Sequence, residues 1–278
     1  MRAVVFSAGG SFGAYQAGVW RALEELDFRP QVVAGTSAGS LNAAAVARGA
    51  RAAWIEQLWR DPSADVFRWN WPPRGLGLLS ARRLERRLVE MLEQFPRLTP
   101  GMRLRVTLTE LRSLAIRTFA DERVTLPVLL GSCAIPGIFP PVRLDGRRYC
   151  DGGVFCRAPV AAAIEAGGAD ILVVDVLDPP PSRLAGALID AGIRARAWLR
   201  GEAPQTAIPP PVRVRVISPR EPLGRVRDIL RWDPRLIDRW IETGYRDALA
   251  ALDFSPAALA TASAAHASSP SAVSAAPR

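Results

Sequence analysis

Val32-Val33-Ala34-Gly35-Thr36-Ser37-Ala38-Gly39-Ser40-Leu41-Asn42-Ala43-Ala44-Ala45-Val46-Ala47 reads as a strand, a sharp turn and a helix in direct succession. Val32 to Ala34 is a short apolar run of the kind that forms a buried strand. Ala38 to Ala47 is alanine-rich and predicts a helix. Between them, Gly35 and Gly39 flank Ser37. Small neighbours let a side chain stand on a tight strand-to-helix turn, with its oxygen at the N-terminus of the following helix. Free N–H groups and the positive end of the helix dipole favour a developing anion there. Ser37 is therefore a candidate nucleophile, and an ordinary Gly/Ser turn is the alternative reading.

The same unit precedes it. Ala3-Val4-Val5-Phe6 is an apolar run ended by Gly9-Gly10-Ser11-Phe12-Gly13, and Ala14 to Leu26 carries apolar residues at helical spacing. A dinucleotide fingerprint would need G-x-G-x-x-G and an acidic residue closing the next strand. Here the spacing differs and the next strand ends in the serine turn. Backbone N–H groups of Gly9, Gly10 and Ser11 instead suit an oxyanion hole. Repeated strand-turn-helix units predict an α/β fold with a mostly parallel sheet covered by helices.

Further along, Leu104-Val106-Leu108 and Leu114-Ile116 alternate like strands, and Ile171 to Val174, wholly apolar, suits a sheet centre. Val212 to Ile217 reads as another strand, with helices near Leu184 to Leu199 and Leu236 to Leu252. Residues 50 to 78 are unlike the rest: Trp54, Trp59, Trp69 and Trp71 cluster there with Phe67, Pro62, Pro72 and Pro73. Such aromatics suit either a membrane-contacting lid or core packing. Ser80 resembles an N-cap for a helix through Phe95, with Leu84, Leu88, Met91 and Leu92 on one face. Arg82, Arg83, Arg86 and Arg87 lie on the other, with Arg82–Glu85 and Arg86–Glu90 at pairing distances. That arginine face reads as solvated, with lipid head-group binding as the rival reading. Residues 1–254 form the expected catalytic domain. Residues 255–278, rich in Ala, Ser and Pro, lack the apolar surface needed to fold and are expected to be a disordered tail.

The 278 residues carry a net charge of +9, and all 36 basic residues are arginine. Complete use of arginine with abundant Ala, Gly and Pro reads as coding bias. The positive balance still favours anionic surfaces. Nucleic acid is not an expected partner, because the arginines are dispersed and no binding motif accompanies them. Cys133, Cys150 and Cys156 are too few for a disulfide framework and lack the spacing of a zinc site, so no metal and no cofactor is expected, and a reducing, cytoplasmic compartment is. The uncharged stretch Ala3 to Trp20 weakly mimics a signal peptide, but its glycines interrupt any apolar helix. No run reaches the roughly 18 apolar residues of a spanning helix. The expected protein is unanchored, or held peripherally at a membrane surface.

The sole histidine, His266, lies in the tail. Most serine hydrolases use histidine to take the proton of the nucleophile. If Ser37 is a nucleophile, its base is another group, and the best candidate is the carboxylate Asp151 in Asp151-Gly152-Gly153. On its own that motif reads first as a structural turn, and it gains weight from a nucleophile without a histidine. An acyltransferase would want a histidine that the folded part does not offer.

Four blocks together carry a family resemblance. They are Ser7-Ala8-Gly9-Gly10-Ser11-Phe12-Gly13-Ala14-Tyr15-Gln16-Ala17-Gly18, Gly35-Thr36-Ser37-Ala38-Gly39, Ser132-Cys133-Ala134-Ile135-Pro136-Gly137-Ile138-Phe139-Pro140-Pro141, and Asp151-Gly152-Gly153. In this order, over roughly residues 3 to 175, the chain resembles the bacterial patatin-like phospholipases. The resemblance implies a three-layer α/β/α sandwich and lipid acyl hydrolase activity through a Ser-Asp dyad. It implies Ser37 as nucleophile, Asp151 as base and the Gly9-Gly10 region as oxyanion hole, with a lipid or other acyl ester as substrate. The chain departs from the family pattern at Ala8, where a glycine is usual, at Phe12, where a basic residue is usual, and at Cys156-Arg157, where asparagine is favoured. Neutral lipids and simple esters therefore stand beside phospholipids as expected substrates. A catalytically silent interaction module is the rival function. No calcium site is apparent, so activity is expected to survive a chelator.

Overall fold

A computed structural model of the chain describes residues 1–62, 65, 79, 81–201 and 211–252. His266, Phe67, Trp69, Trp71, Ser80 and the tail expected at 255–278 lie outside those residues. Strands β1 (Arg2–Phe6), β2 (Val32–Thr36), β3 (Arg103–Glu110), β4 (Ile116–Ala120), β5 (Val142–Leu144), β6 (Arg147–Asp151), β7 (Asp170–Val174) and β8 (Arg213–Ile217) make one sheet. Its path runs β5-β6-β3-β2-β1-β7-β8, with β4 also on β3. Strands β8, β7, β1, β2 and β3 are mutually parallel; β4, β5 and β6 join by antiparallel pairs.

Side-chain alternation sorts the sheet into two faces. Val4, Phe6, Val33, Val106, Leu108, Leu172 and Val174 belong to one buried cluster. Helices α1 (Gly13–Glu25), α2 (Ala38–Ala47), α3 (Ala52–Arg60), α4 (Arg82–Gln94), α5 (Leu126–Ser132) and α8 (Pro234–Leu252) contribute to it. Ala3, Val5, Val32, Ala34, Ile171 and Val173 face the other way, onto Ala163 and Ala166 at helix α6 (Val160–Glu165). The result is an α/β/α sandwich with one thick and one thin helical layer. Strand β7 lies one strand in from the β8 edge rather than at the middle. Its apolar run reflects cover on both faces, which an interior strand has wherever it sits.

Two segments differ from the sequence expectation. The antiparallel strand starts at Ile116, because Leu114 sits in the connecting turn with φ 55°. Residues 52–60, masked in the sequence by their tryptophans, form α3. Trp59 is buried in the core, and Trp54 packs edge-on against Phe95. Core packing therefore accounts for both of these tryptophans. On α4, Glu90 pairs with Arg87 at 2.7 Å rather than with Arg86, as Arg87 turns inward to reach Asp61 as well. Among the described residues, no helix is long and apolar enough to cross a membrane.

The pairing of β3 decides where loops meet. Residues Leu108 and Thr109 pair with β4 and also with β6. A strand has two hydrogen-bonding edges, so β6 must occupy the edge opposite β4. That edge also carries β2 from Arg103 to Thr107. Strands β2 and β6 therefore meet end to end along one edge of β3. Thr36 is level with Thr107, and Asp151 is level with Leu108.

Candidate active site

Ser37 follows β2 and caps α2, with φ 55° and ψ −131°. A non-glycine residue holds such a backbone only where its surroundings enforce it. The enforcement is visible at both flanking glycines. A side chain on Gly35 would overlap the carbonyl oxygen of Gly39, and one on Gly39 would overlap the carbonyls of Phe6 and Ser7. Strand β1 and the start of α2 are thus pressed together with no room for Cβ. The Ser37 carbonyl accepts from the Ser40 amide at 2.8 Å and from Ser40 Oγ at 2.6 Å.

Asp151 ends β6 where Ser37 begins α2, and Ser37 Oγ donates to Asp151 Oδ2 at 2.6 Å. The other carboxylate oxygen, Oδ1, accepts from the Gly153 amide at 2.6 Å. Gly152 lies so close to the Thr107 carbonyl that a Cβ would collide with it, and Gly153 lies as close to Ala8 Cβ. The Asp-Gly-Gly turn is therefore both structural and a mount for the carboxylate. Ser37 and Asp151 are 4% and 3% exposed, respectively. Burial pushes the Asp151 carboxyl up to about 7, against the opposing pull of its bonds from Ser37 and Gly153. A carboxylate so raised is a stronger base than one in water.

The glycine loop sits beside this pair. Gly10 has φ 55°, and a Cβ there would overlap the Ile229 carbonyl. The amides of Ser7, Ala8 and Phe12 donate to Val174, Arg157 and Gly9 carbonyls. The amides of Gly9, Gly10 and Ser11 find no backbone acceptor among the described residues. Phe12, standing where a basic residue was the family expectation, is fully buried and packs edge-on against Trp240 at 4.9 Å. It is a core residue, and the loop presents no cation at that position.

Gly10, Ser37 and Ala38 line an open cleft. Its wall is mainly apolar, with Leu41, Leu58, Trp59, Leu84, Ile135 and Phe139. Trp59 stacks on Trp232, with ring centroids 5.3 Å apart. Asn42 Oδ1 holds the Trp59 indole N–H at 2.9 Å, while its Nδ2 donates to Gly13 and to Gln16. Gln16 in turn donates to the Ser7 carbonyl at 2.7 Å. A buried polar chain thus ties the cleft wall to the glycine loop.

Several supporting residues carry no local sequence signal. Ser132 Oγ accepts from the Ser37 amide and donates to the Thr107 carbonyl, each at 3.0 Å. It lies in a quoted block, but only the fold shows what it touches. Thr36 and Thr107 join by a short hydroxyl–hydroxyl bond across β2 and β3. Arg157 pairs with buried Asp175 at 2.9 Å, tying the segment after Asp151 to the end of β7. Burial pushes the Asp175 carboxyl up, with Arg157 opposing. Removing the Ser132 hydroxyl takes away the acceptor of the buried Ser37 N–H and a donor to the Thr107 carbonyl. Ser132→Ala is expected to destabilise the fold by about 1–3 kcal/mol, read by urea unfolding; an unchanged midpoint would show that Ser132 does not brace the turn.

Among the described residues, no cluster of three or more His, Cys, Asp or Glu is placed to hold a metal ion. The cysteines are free thiols. The arrangement offers a buried hydroxyl bonded to a basic carboxylate, amides alongside that have no backbone acceptor among the described residues, and an apolar trough. It suits attack on an uncharged ester carbonyl attached to a hydrocarbon chain.

Comparison with known proteins agrees in fold and family. The model for patatin-like phospholipase matches residues 4–164. An uncharacterized protein of Bacillus subtilis (strain 168), YqhO, is 29% identical over 188 residues, covering 56% of this chain and 64% of that protein. The crystal structure of VipD from Legionella pneumophila superimposes with a TM-score of 0.52 at 17% identity, over 89% of this chain and 66% of that one. The chain spans just under two-thirds of the length of both.

Proposed function

Because this chain belongs to the patatin-like phospholipase family, a family of lipid hydrolases, we propose that it cleaves lipid acyl esters through a Ser37–Asp151 dyad and an acyl-enzyme. The observation that carries this reading is the 2.6 Å bond from Ser37 Oγ to Asp151 Oδ2 beside an apolar cleft. Ser37 Oγ attacks the ester carbonyl carbon as its proton passes to Asp151. The carbonyl π electrons move to oxygen, and the oxyanion takes hydrogen bonds from the Gly9–Ser11 amides. Re-forming the carbonyl expels the alkoxide, which takes the proton back from Asp151. Water then attacks the acyl-serine, again losing its proton to Asp151. Collapse breaks the acyl–Oγ bond and releases the fatty acid, and Ser37 Oγ takes the proton back from Asp151.

The acyl chain lies along Leu41, Leu58, Leu84, Ile135 and Phe139. With Phe12 buried, the loop supplies no basic group to a phosphate, so the acyl chain, rather than a head group held by the loop, sets recognition. Three free thiols suit a reducing compartment, and we assign the enzyme to the cytoplasm.

The test is incubation with a long-chain p-nitrophenyl ester, then with an alkyl fluorophosphonate that traps activated serines. Expected are steady release of p-nitrophenol and one phosphonyl adduct on the peptide containing Ser37. Adduct on another serine, or no turnover and no adduct, refutes the reading and leaves the silent module in its place.

A further inference from the structure

Helix α7 (Arg183–Leu199) turns large apolar side chains outward near both of its ends. Leu184 is 71% exposed, Trp198 80% and Leu199 65%. Ala187, Ala191 and Ala195 lie on the same exposed side, at helical spacing from Leu184 and Trp198. Arg196 points the other way. It is 6% exposed, its Nε donates to the Leu114 carbonyl at 2.7 Å, and its guanidinium lies 5.9 Å from the Phe155 ring. Leaving tryptophan and leucine in water on one face runs against the cost of that placement. An apolar face of this kind, on a protein whose interior is otherwise conventionally packed, marks a contact surface.

Charge selects the occupant. Arg183 and Arg194 are exposed beside this face, and Asp190 is the sole acid in α7. Two copies meeting about a twofold axis would set arginine against arginine, on a chain of net charge +9. An anionic lipid surface instead satisfies both halves of the face. Trp and Leu enter the boundary between head groups and acyl chains, and arginines meet the lipid phosphates. The helix, about 25 Å long at 1.5 Å per residue, suits lying in the interface plane. Through Arg196, α7 is fastened to Phe155, next to the turn that carries Asp151, so docking would bring the dyad to the lipid. We propose that the exposed face of α7 is the membrane-docking surface of this enzyme, for bilayers bearing anionic head groups. The inference rests on the lipid-ester reading of the Ser37 site for its purpose, but not for its test.

The experiment uses the full chain with Ser37→Ala, so that vesicles stay intact, and measures co-sedimentation with phosphatidylcholine vesicles with and without phosphatidylglycerol. Binding is expected to need phosphatidylglycerol and to weaken with salt. Adding Leu184→Ser and Trp198→Ser is expected to lower partitioning by about tenfold or more, with the circular dichroism spectrum unchanged. Ala195→Glu, which puts an acid on the same face, is expected to weaken binding independently. In the Ser37 background of the wild type, the paired substitution should slow hydrolysis of vesicular ester and leave a soluble p-nitrophenyl ester unaffected. Equal binding by parent and variants, or no binding by either, overturns the assignment. So does a concentration-dependent dimer that the substitutions abolish, which would make the face a contact between copies. Loss of the dyad reading would show separately, as undiminished ester hydrolysis by Ser37→Ala.

Discussion

Replacing Ser37 by alanine is expected to lower ester hydrolysis by about four to six orders of magnitude, with the fold retained. The hydroxyl is the only part of the side chain removed, and in the proposed mechanism it is the atom that forms the bond to the acyl group. Initial rates on a soluble ester measure this, and a residual rate within tenfold of wild type would place the chemistry elsewhere. Glycine at the same position separates chemistry from backbone strain. Both variants lack Oγ, so both are inactive, but only alanine keeps a Cβ at φ 55° and ψ −131°. Ser37→Gly should therefore be more stable than Ser37→Ala by about 1 kcal/mol, after the entropy that glycine adds to the unfolded chain. Thermal melts below pH 7 make the comparison with Asp151 largely protonated in both. Equal melting temperatures would mean that the turn holds no strain that matters to folding.

The second large effect is on pH dependence. Burial raises the Asp151 carboxyl from 3.8 to about 7, and the proposed base must be ionised to take the Ser37 proton. Activity should climb as pH rises through about 7 and fall off in acid, and Asp151→Asn should abolish it. Stability should move in the opposite sense. The folded state binds the Asp151 proton more tightly than the unfolded chain does. The contribution of this group is thus fully present below about pH 4 and is lost as pH rises through 7. Asparagine keeps a carbonyl for the Gly153 amide but cannot ionise. The stability of Asp151→Asn relative to wild type should therefore increase from pH 4 to pH 8. Urea midpoints at several pH values test this, and parallel profiles for the two proteins would refute it.

These two effects share one origin. The pair is buried, which makes the carboxylate basic and the ionised state costly. Burial that suits proton abstraction therefore costs stability at the pH where the enzyme works, as strained and desolvated sites generally do. The braces around the pair, Ser132 on the Ser37 amide and Gly153 on Asp151 Oδ1, hold it in bonding geometry despite that cost.

The turn at Ser37 was legible in sequence because its determinants are local. A short apolar run, two glycines with no room for Cβ and an alanine-rich helix are contiguous, and their hydrogen bonds close within a few residues. The first glycine loop and the helical spacing from Ala14 to Leu26 were legible for the same reason. The meeting of Ser37 with Asp151 was not local. It depends on β6 taking up the line of β2 along one edge of β3, which brings side chains 114 residues apart in the chain into contact and which no periodicity encodes. Ser132 owes its contact to that same pairing. Phe12 reads as a lost cation in the sequence and as a packed ring against Trp240 in the fold. In α7 the apolar and basic residues are both plain in the sequence, yet only packing against Leu114 and Phe155 decides that Arg196 turns inward and Trp198 outward. Sequence by itself determined the local turns and the period of each element; tertiary structure decided which ends of those elements meet and which faces stay uncovered, because those depend on contacts made across the sheet rather than along the chain.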